Sequence, residues 1–151
     1  MKKELIGKYI GAIHRHQQIM VNNYLKPYGI GSGQYIFFLT IHENPGISQK
    51  ELTELIKIDK ATTAKALKKL EDQGYIYRIT DKEDKRYNKL YVTEAGKEFE
   101  PKLIEILDSI TNIITDGISN EQYEDVIKSL KIILDNVLNN SNSQIRDTVF
   151  I

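Results

Sequence analysis

The segment from Ser48 to Val92 leaves the chain few ways to fold. Ser48 fits a helix N-cap, with Glu51 three residues later as its reciprocal partner. The helix this predicts, Gln49 to Ile56, buries Leu52, Leu55 and Ile56. Lys57-Ile58 reads as a turn, and Asp59 caps a second helix that runs to about Gln73. Ala66, Leu67 and Leu70 form its inward side, and Gly74 supplies the left-handed residue that stops it. Tyr75–Thr80 and Asn88–Val92 then read as paired strands, joined by the tip Asp81-Lys82-Glu83-Asp84-Lys85-Arg86.

The flanks are helical. Leu5, Ile6, Tyr9, Ile10, Ile13, Ile19, Met20 and Tyr24 recur mostly at three- and four-residue intervals, predicting a helix from Lys3 to Lys26. Pro27 and the glycine-rich run 29–33 break it, and a helix through Gln34 to Glu43 follows, ended by Asn44-Pro45-Gly46. Ile47 reads as a bridge or minimal strand. Thr93 can cap a long helix toward Ile114, interrupted in sequence by Gly96 and by Pro101, which lacks a backbone donor and crowds the preceding turn. Ser119 and Gln122 make another capping box before a last helix carrying Tyr123, Val126, Ile127, Leu130, Ile133, Leu134, Val137 and Leu138. The terminal helices hold more apolar surface than a small central module needs. Pairing with a second copy would bury it, and packing within one chain is the alternative.

Composition narrows the chemistry. A chain of 151 residues with 40% hydrophobic content can form one compact domain, or a small domain with oligomerising extensions. The absence of cysteine excludes disulfides, thiolate catalysis and cysteine metal sites. The start of the chain reads straight into an amphipathic helix without the features of a signal peptide, and no stretch approaches the length of a membrane span. The expectation is a cytoplasmic protein with no membrane partner. Net charge is zero, yet Lys50–Lys89 holds 11 basic and 8 acidic residues, against 10 and 13 elsewhere. That modest asymmetry fits a basic reading surface on a less basic scaffold, and fits many other proteins too.

On the helix that begins after Asp59, Thr62, Lys65 and Lys69 fall on nearly one face, and Ala61, Lys65 and Lys68 on an overlapping one. Small residues at its start would let its backbone enter a major groove, with threonine hydroxyls and lysine amines reaching phosphate or base edges. A basic helix followed by a charged hairpin is the layout of a winged helix-turn-helix. The fold class expected is mainly α with a small β-wing, flanked by dimerisation helices. The candidate recognition residues are Lys60, Ala61, Thr62, Thr63, Lys65, Lys68 and Lys69; the candidate wing residues are Lys82, Asp84, Lys85 and Arg86; Ser48 and Asp59 are the caps. Arg86 could enter a minor groove, with Asp84 holding it or a backbone amide. A solvated lysine face and a soluble mixed-charge turn are the plainer readings.

Other constellations are weak. His14, His16 and His42 do not form a zinc pattern, and the expectation is no metal and no cofactor. No nucleophile elbow, phosphate loop or dinucleotide fingerprint is present, so an enzyme is not expected. Tyr24, Tyr28 and Tyr35 cluster at the junction of the first two helices; they suit a pocket for a small aromatic effector or, by preference, helical packing.

Glu43–Leu52, Ile58–Lys65, Leu67–Ile76, Asp81–Arg86 and Leu90–Gly96 together resemble the patterned region of the MarR family. The resemblance implies a homodimeric regulator that binds double-stranded DNA. Residues 1–30 and 94–140 would form the dimer base, 31–93 the DNA-binding domain, and 141–151 a polar tail or dimer-contact extension. It places Thr62, Thr63 and Lys65 in the reading segment and matches Asp84 and Arg86 to the family's wing. Most members repress, and many lose DNA affinity when a small phenolic or anionic ligand binds between the dimer and DNA-binding regions. Such a ligand would change the spacing of two recognition helices set about one helical turn apart. Ala61, Ala64 and Lys65 stand where the family often has two hydroxyl residues and an arginine, leaving fewer groups for base readout. The alternative is a winged-helix scaffold for protein contact with little specific DNA binding.

Overall fold

A computed structural model describes residues 4–84 and 87–142. It divides into two compact units, the first ending at Ile110 and the second beginning at Thr111.

The first unit opens with α1 (Ile6–Leu25), a single 3-10 turn at Lys26–Tyr28 and α2 (Tyr35–Glu43). Pro27 sits in the first turn of the 3-10 segment, where its missing N–H costs nothing, and Gly29 closes it at φ 74°. The glycine-rich break is tied down by side chains: Ser32 N–H donates to Asn22 Oδ1 at 2.7 Å and Gly31 N–H to Gln34 Oε1 at 3.0 Å. Strand β1 (Ile47–Ser48) leads into α3 (Gln49–Ile56), α4 (Lys60–Asp72), β2 (Ile76–Thr80), β3 (Asn88–Val92) and α5 (Glu94–Ile114). The sheet is antiparallel in the order β1-β3-β2, with Ile47 opposite Leu90 and Arg78 opposite the same Leu90 from the other side.

One core joins these elements. Val21 and Leu25 of α1, Phe37, Phe38 and Ile41 of α2, Leu52 of α3, Leu67 and Leu70 of α4, Ile76, Leu90, and Phe99, Leu103 and Ile106 of α5 are all buried. Helices α3 and α4 are each short, so their stability comes from burying one stripe here rather than from intrinsic helicity. One apolar position departs from expectation: Leu55 is 57% exposed, because the inward stripe of α3 turns with Leu52 and Ile56. Thr93 caps α5 by accepting from Gly96 N–H at 3.0 Å, and α5 runs on as one helix through Pro101.

The second unit holds the end of α5, a turn with Gly117 at φ 81°, and α6 (Asn120–Asn142). Ser119 and Gln122 form the expected reciprocal cap. No described residue of α6 is buried, and Val126, Leu130, Ile132, Leu134 and Val137 are exposed. Among the described residues, no helix is long and apolar enough to cross a membrane.

Candidate nucleic-acid interface

Two caps and one left-handed residue set the helix-turn-helix. Ser48 Oγ accepts from Glu51 N–H at 3.1 Å, and Glu51 Oε2 accepts from Ser48 N–H at 2.8 Å, closing both orphan donors at the start of α3. The Ser48 N–H first, and then the Ser48 hydroxyl, hold the Glu51 carboxyl below its ordinary value. Lys57 ends α3 at φ 59°, a conformation uncommon outside glycine, and so lets the chain turn within three residues. Asp59 then caps α4. Its carboxylate accepts from Thr62 Oγ1 at 2.6 Å and Thr62 N–H at 2.8 Å, and these two bonds, the side-chain one first, lower its pKa.

The caps fix which side of α4 faces out. Lys60, Ala61, Thr62, Ala64, Lys65, Lys68 and Lys69 are exposed, whereas Ala66, Leu67 and Leu70 face the core. Thr63 was expected in the reading segment but is 0% exposed, and its hydroxyl donates to the Asp59 carbonyl at 2.9 Å. It lies three and four residues before Ala66 and Leu67, on the apolar stripe, and so cannot reach a base edge. Thr62 is outward, but its hydroxyl proton is committed to Asp59. Lys68 pairs with Asp72 at 3.2 Å, one turn on, with both side chains largely in solvent. Such a pair contributes little and leaves the amine free to exchange partners.

The wing is a two-strand ribbon with Tyr77 stacked on Tyr91 at a centroid distance of 5.5 Å. Its tip is organised by Asp81, whose Oδ1 accepts from Glu83 N–H at 2.9 Å and Asp84 N–H at 3.4 Å. This local bond from an aspartate to the backbone two residues on marks a turn, and was a signal available in the sequence. Lys82 is exposed beside it. Asp84 is half-buried, and its carbonyl accepts from Tyr87 N–H at 2.9 Å. Lys85 and Arg86 lie outside the described residues.

The root of the ribbon is anchored from several directions. Thr93 N–H donates to the Tyr75 carbonyl at 3.0 Å, and Thr93 Oγ1 donates to the Gly74 carbonyl at 2.6 Å. Further out, Arg78 reaches back to α4 and α3. Its Nε and Nη2 donate to the two carboxylate oxygens of Glu71 at 2.7 and 3.1 Å, and its Nη1 donates to Gln49 Oε1 at 2.8 Å. Neither Arg78 nor Glu71 was a candidate from sequence. The available signal was parity: Arg78 shares the strand face of buried Ile76, where a charge needs partners.

An open cleft of about 570 Å³ runs between α3, the start of α4 and the return strand, lined by Ser48, Gln49, Lys50, Lys60, Tyr87 and Asn88 among others. Lys50 and Lys60 line it together with the Glu54 carboxylate, so it carries charges of both signs. The tyrosine cluster is elsewhere. Tyr28 lies against Phe99 at 5.0 Å, Tyr35 packs on the core, and Tyr24 is 44% exposed. Tyr75 donates its hydroxyl proton to the Tyr28 carbonyl at 2.9 Å, and burial raises its pKa. Among the described residues no group of three histidine or carboxylate side chains could hold a metal.

A family model described as MarR family matches residues 32–87. The chain is 37% identical over 132 residues to YybA, an uncharacterised HTH-type transcriptional regulator of Bacillus subtilis, spanning 87% of this chain and 88% of that one. A MarR transcriptional regulator from Methanosarcina mazei Go1 has a solved structure that matches with TM-score 0.82 and 39% identity, over 91% of this chain and 99% of that one. A MarR-family transcriptional regulator from Listeria monocytogenes, solved with a 26mer DNA, matches with TM-score 0.84 and 26% identity, over 98% and 100% of the two chains.

Proposed function

The chain belongs to the MarR family of DNA-binding, non-catalytic winged helix-turn-helix transcription regulators, and on that premise we propose that it is a homodimeric repressor of a pseudo-palindromic operator. The observation that carries the DNA reading is the outward face of α4. It presents Lys60, Lys65, Lys68 and Lys69 around the small Ala61 and Ala64, so the backbone can approach the groove closely while amines reach phosphates. The exposed Lys82 would extend the contact to the flanking groove, the role the sequence motif also gives to Lys85 and Arg86. The relative solved with DNA supports a DNA partner for this fold.

The homodimer is supported by apolar surface that each unit leaves uncovered. In α1, Ile6 and Ile13 are 58% and 59% exposed, and α6 presents its own apolar side chains. A second copy would cover both, making a self-complementary base that sets the spacing of two recognition helices. A cytoplasmic location goes with the DNA partner.

Release by a small phenolic or anionic effector near Tyr24, Tyr28 and Tyr35 is the regulatory part of the proposal. Its support is the direct link from that junction to the reading module. Tyr75 holds the Tyr28 carbonyl, and the Gln73 side chain at the end of α4 packs against Gly29. A ligand that shifts the junction would therefore move the end of α4.

The test is titration of the purified protein into its own upstream DNA and a shuffled duplex across a salt series, with Lys65→Ala and Arg86→Ala in parallel. The proposal expects preference for the upstream site, weaker binding in both variants, and a salt slope reduced by about one in K65A. Equal weak binding to both duplexes would remove the local-repressor reading and favour a protein-contact scaffold. Candidate effectors that bind without changing DNA affinity would remove the switch.

A further inference from the structure

We propose that Arg78 is a positioning residue that sets the angle of the wing to the recognition helix without touching DNA; this rests on the DNA-reading proposal above. One guanidinium joins three elements. It makes a two-bond fork with Glu71 in the last turn of α4 and a third bond to Gln49, the first residue of α3, while its own backbone is at the centre of β2. The Arg78 and Glu71 side chains are only 25% and 28% exposed, so solvent competes weakly for these bonds. A planar fork with two parallel bonds fixes orientation as well as distance, which a lysine at this position could not do.

The mechanical consequence follows from where the anchors lie. The hairpin is fixed to the body at Gly74 and Tyr75 by Thr93, and its return strand is held at Leu90 and Lys89 by pairing with β1. Arg78 lies three residues outward on β2, opposite Leu90, and ties that strand directly to the recognition helix, a link the β1 pairing of the other strand does not supply. The tip begins at Asp81, about 20 Å from the root at the usual rise per strand residue. With Arg78 released, a tilt of about 10° at the root would displace the tip by roughly 3.5 Å, the full reach of a hydrogen bond. Wing contacts would then be lost even though every wing residue is intact. Glu71 gains a second role: its charge, close to a surface meant for phosphate, is neutralised by Arg78 rather than left to repel DNA.

The test combines two readouts on the wild type, Arg78→Ala, Arg78→Lys and Gln49→Ala, all well below their melting temperatures. Without DNA, hydrogen exchange should quicken at hairpin amides such as Asp81 and Tyr87 in R78A, with amides of α5 unchanged. With DNA, R78A should lose about tenfold or more in affinity for the specific duplex, the scale of one good groove contact. Its salt slope should stay near the wild-type value, because no phosphate contact is removed, and its non-specific affinity should fall less than its specific affinity, by only what the uncompensated Glu71 charge costs. R78K should recover only part of the loss, and Q49A should show a smaller loss of the same kind. If R78A does not fold, R78K and Q49A carry the same comparison. Unchanged hairpin exchange overturns the inference. So does a salt slope lowered by about one with specific and non-specific binding weakened equally, the signature of a direct phosphate contact. A wild type with no duplex preference sinks the DNA reading and the role proposed here, while the exchange data separately report whether the clamp holds the hairpin.

Discussion

Gly96→Ala sets two effects of opposite sign against each other, and the structure decides between them. Gly96 lies in the first turn of α5, where alanine is intrinsically better than glycine by up to about 1 kcal/mol. The site is buried, however. A Cβ built there falls on the Tyr75 carbonyl oxygen, 2.5 Å from Val92 Cγ1 and 3.2 Å from Phe38 Cε2. The Tyr75 oxygen is backbone and is held by Thr93 N–H, so it cannot swing away as a flexible side chain would. Overpacking of this kind costs about 1–3 kcal/mol. A contact with fixed backbone falls in the upper part of that range, about 2–3 kcal/mol, so subtracting a propensity gain of about 1 kcal/mol leaves a net loss of about 1–2 kcal/mol, or a melting temperature lower by roughly 2–8 °C for a chain of this size. Urea and thermal unfolding at fixed protein concentration would measure it, with Ala95→Gly as the control. Ala95 is exposed in the same turn, so its replacement should cost only the propensity difference, up to about 1 kcal/mol. Opposite substitutions at adjacent positions should then both destabilise. A G96A protein as stable as the wild type, or more so, would refute the claim that α5 packs directly on the wing root.

Three further outcomes are expected. Asp59 and Glu51 are held below their ordinary values of 3.8 and 4.5 by hydrogen bonds that only the folded chain makes. Their contribution to stability is therefore full above those values and lost as pH falls through the lowered ones. Urea midpoints at successive acidic pH values should show that loss, and D59N with E51Q should flatten it; an unchanged profile would mean the caps do not couple to folding. Thr63→Val should cost about 1 kcal/mol of stability through its buried hydroxyl while leaving the salt slope of DNA binding unmoved, whereas K65A should do the reverse. Leu130→Glu with Val137→Glu should shift sedimentation from dimer to monomer and weaken operator binding; a dimer that survives both would place the interface elsewhere.

Much of the reading module is legible because its determinants are local. Ser48 and Glu51, Asp59 and Thr62, Thr93 and Gly96 each interact within three residues, and α3 has the bounds its sequence pattern gives. Thr63 was also locally legible: 63, 66, 67 and 70 are successive positions of one helical stripe, and all four are buried. A motif match to the reading segment placed it outward against that periodicity. What sequence did not reveal depends on contacts between distant segments. Gly96 must be small because of Tyr75 and Phe38, and Arg78 is useful because Gln49 and Glu71 converge on it. Neither partner is implied by spacing along the chain.

A net charge of zero is compatible with a DNA partner because the carboxylates near the recognition helix are already engaged. Asp59 is committed to the Thr62 amide and hydroxyl, and Glu71 to the Arg78 fork. Each performs an internal task that keeps its charge turned toward a partner. Among the described residues no ion pair engages Lys60, Lys65 or Lys69. The field that an approaching phosphate meets is thus set by which charges remain uncommitted on one face, not by their sum over the chain. On this reasoning Glu71→Gln, which removes a negative charge, should not simply strengthen DNA binding. It would weaken the Arg78 fork and loosen the wing, so specific affinity should fall even as the face becomes more positive. A rise in specific affinity would mean that local charge outweighs wing geometry.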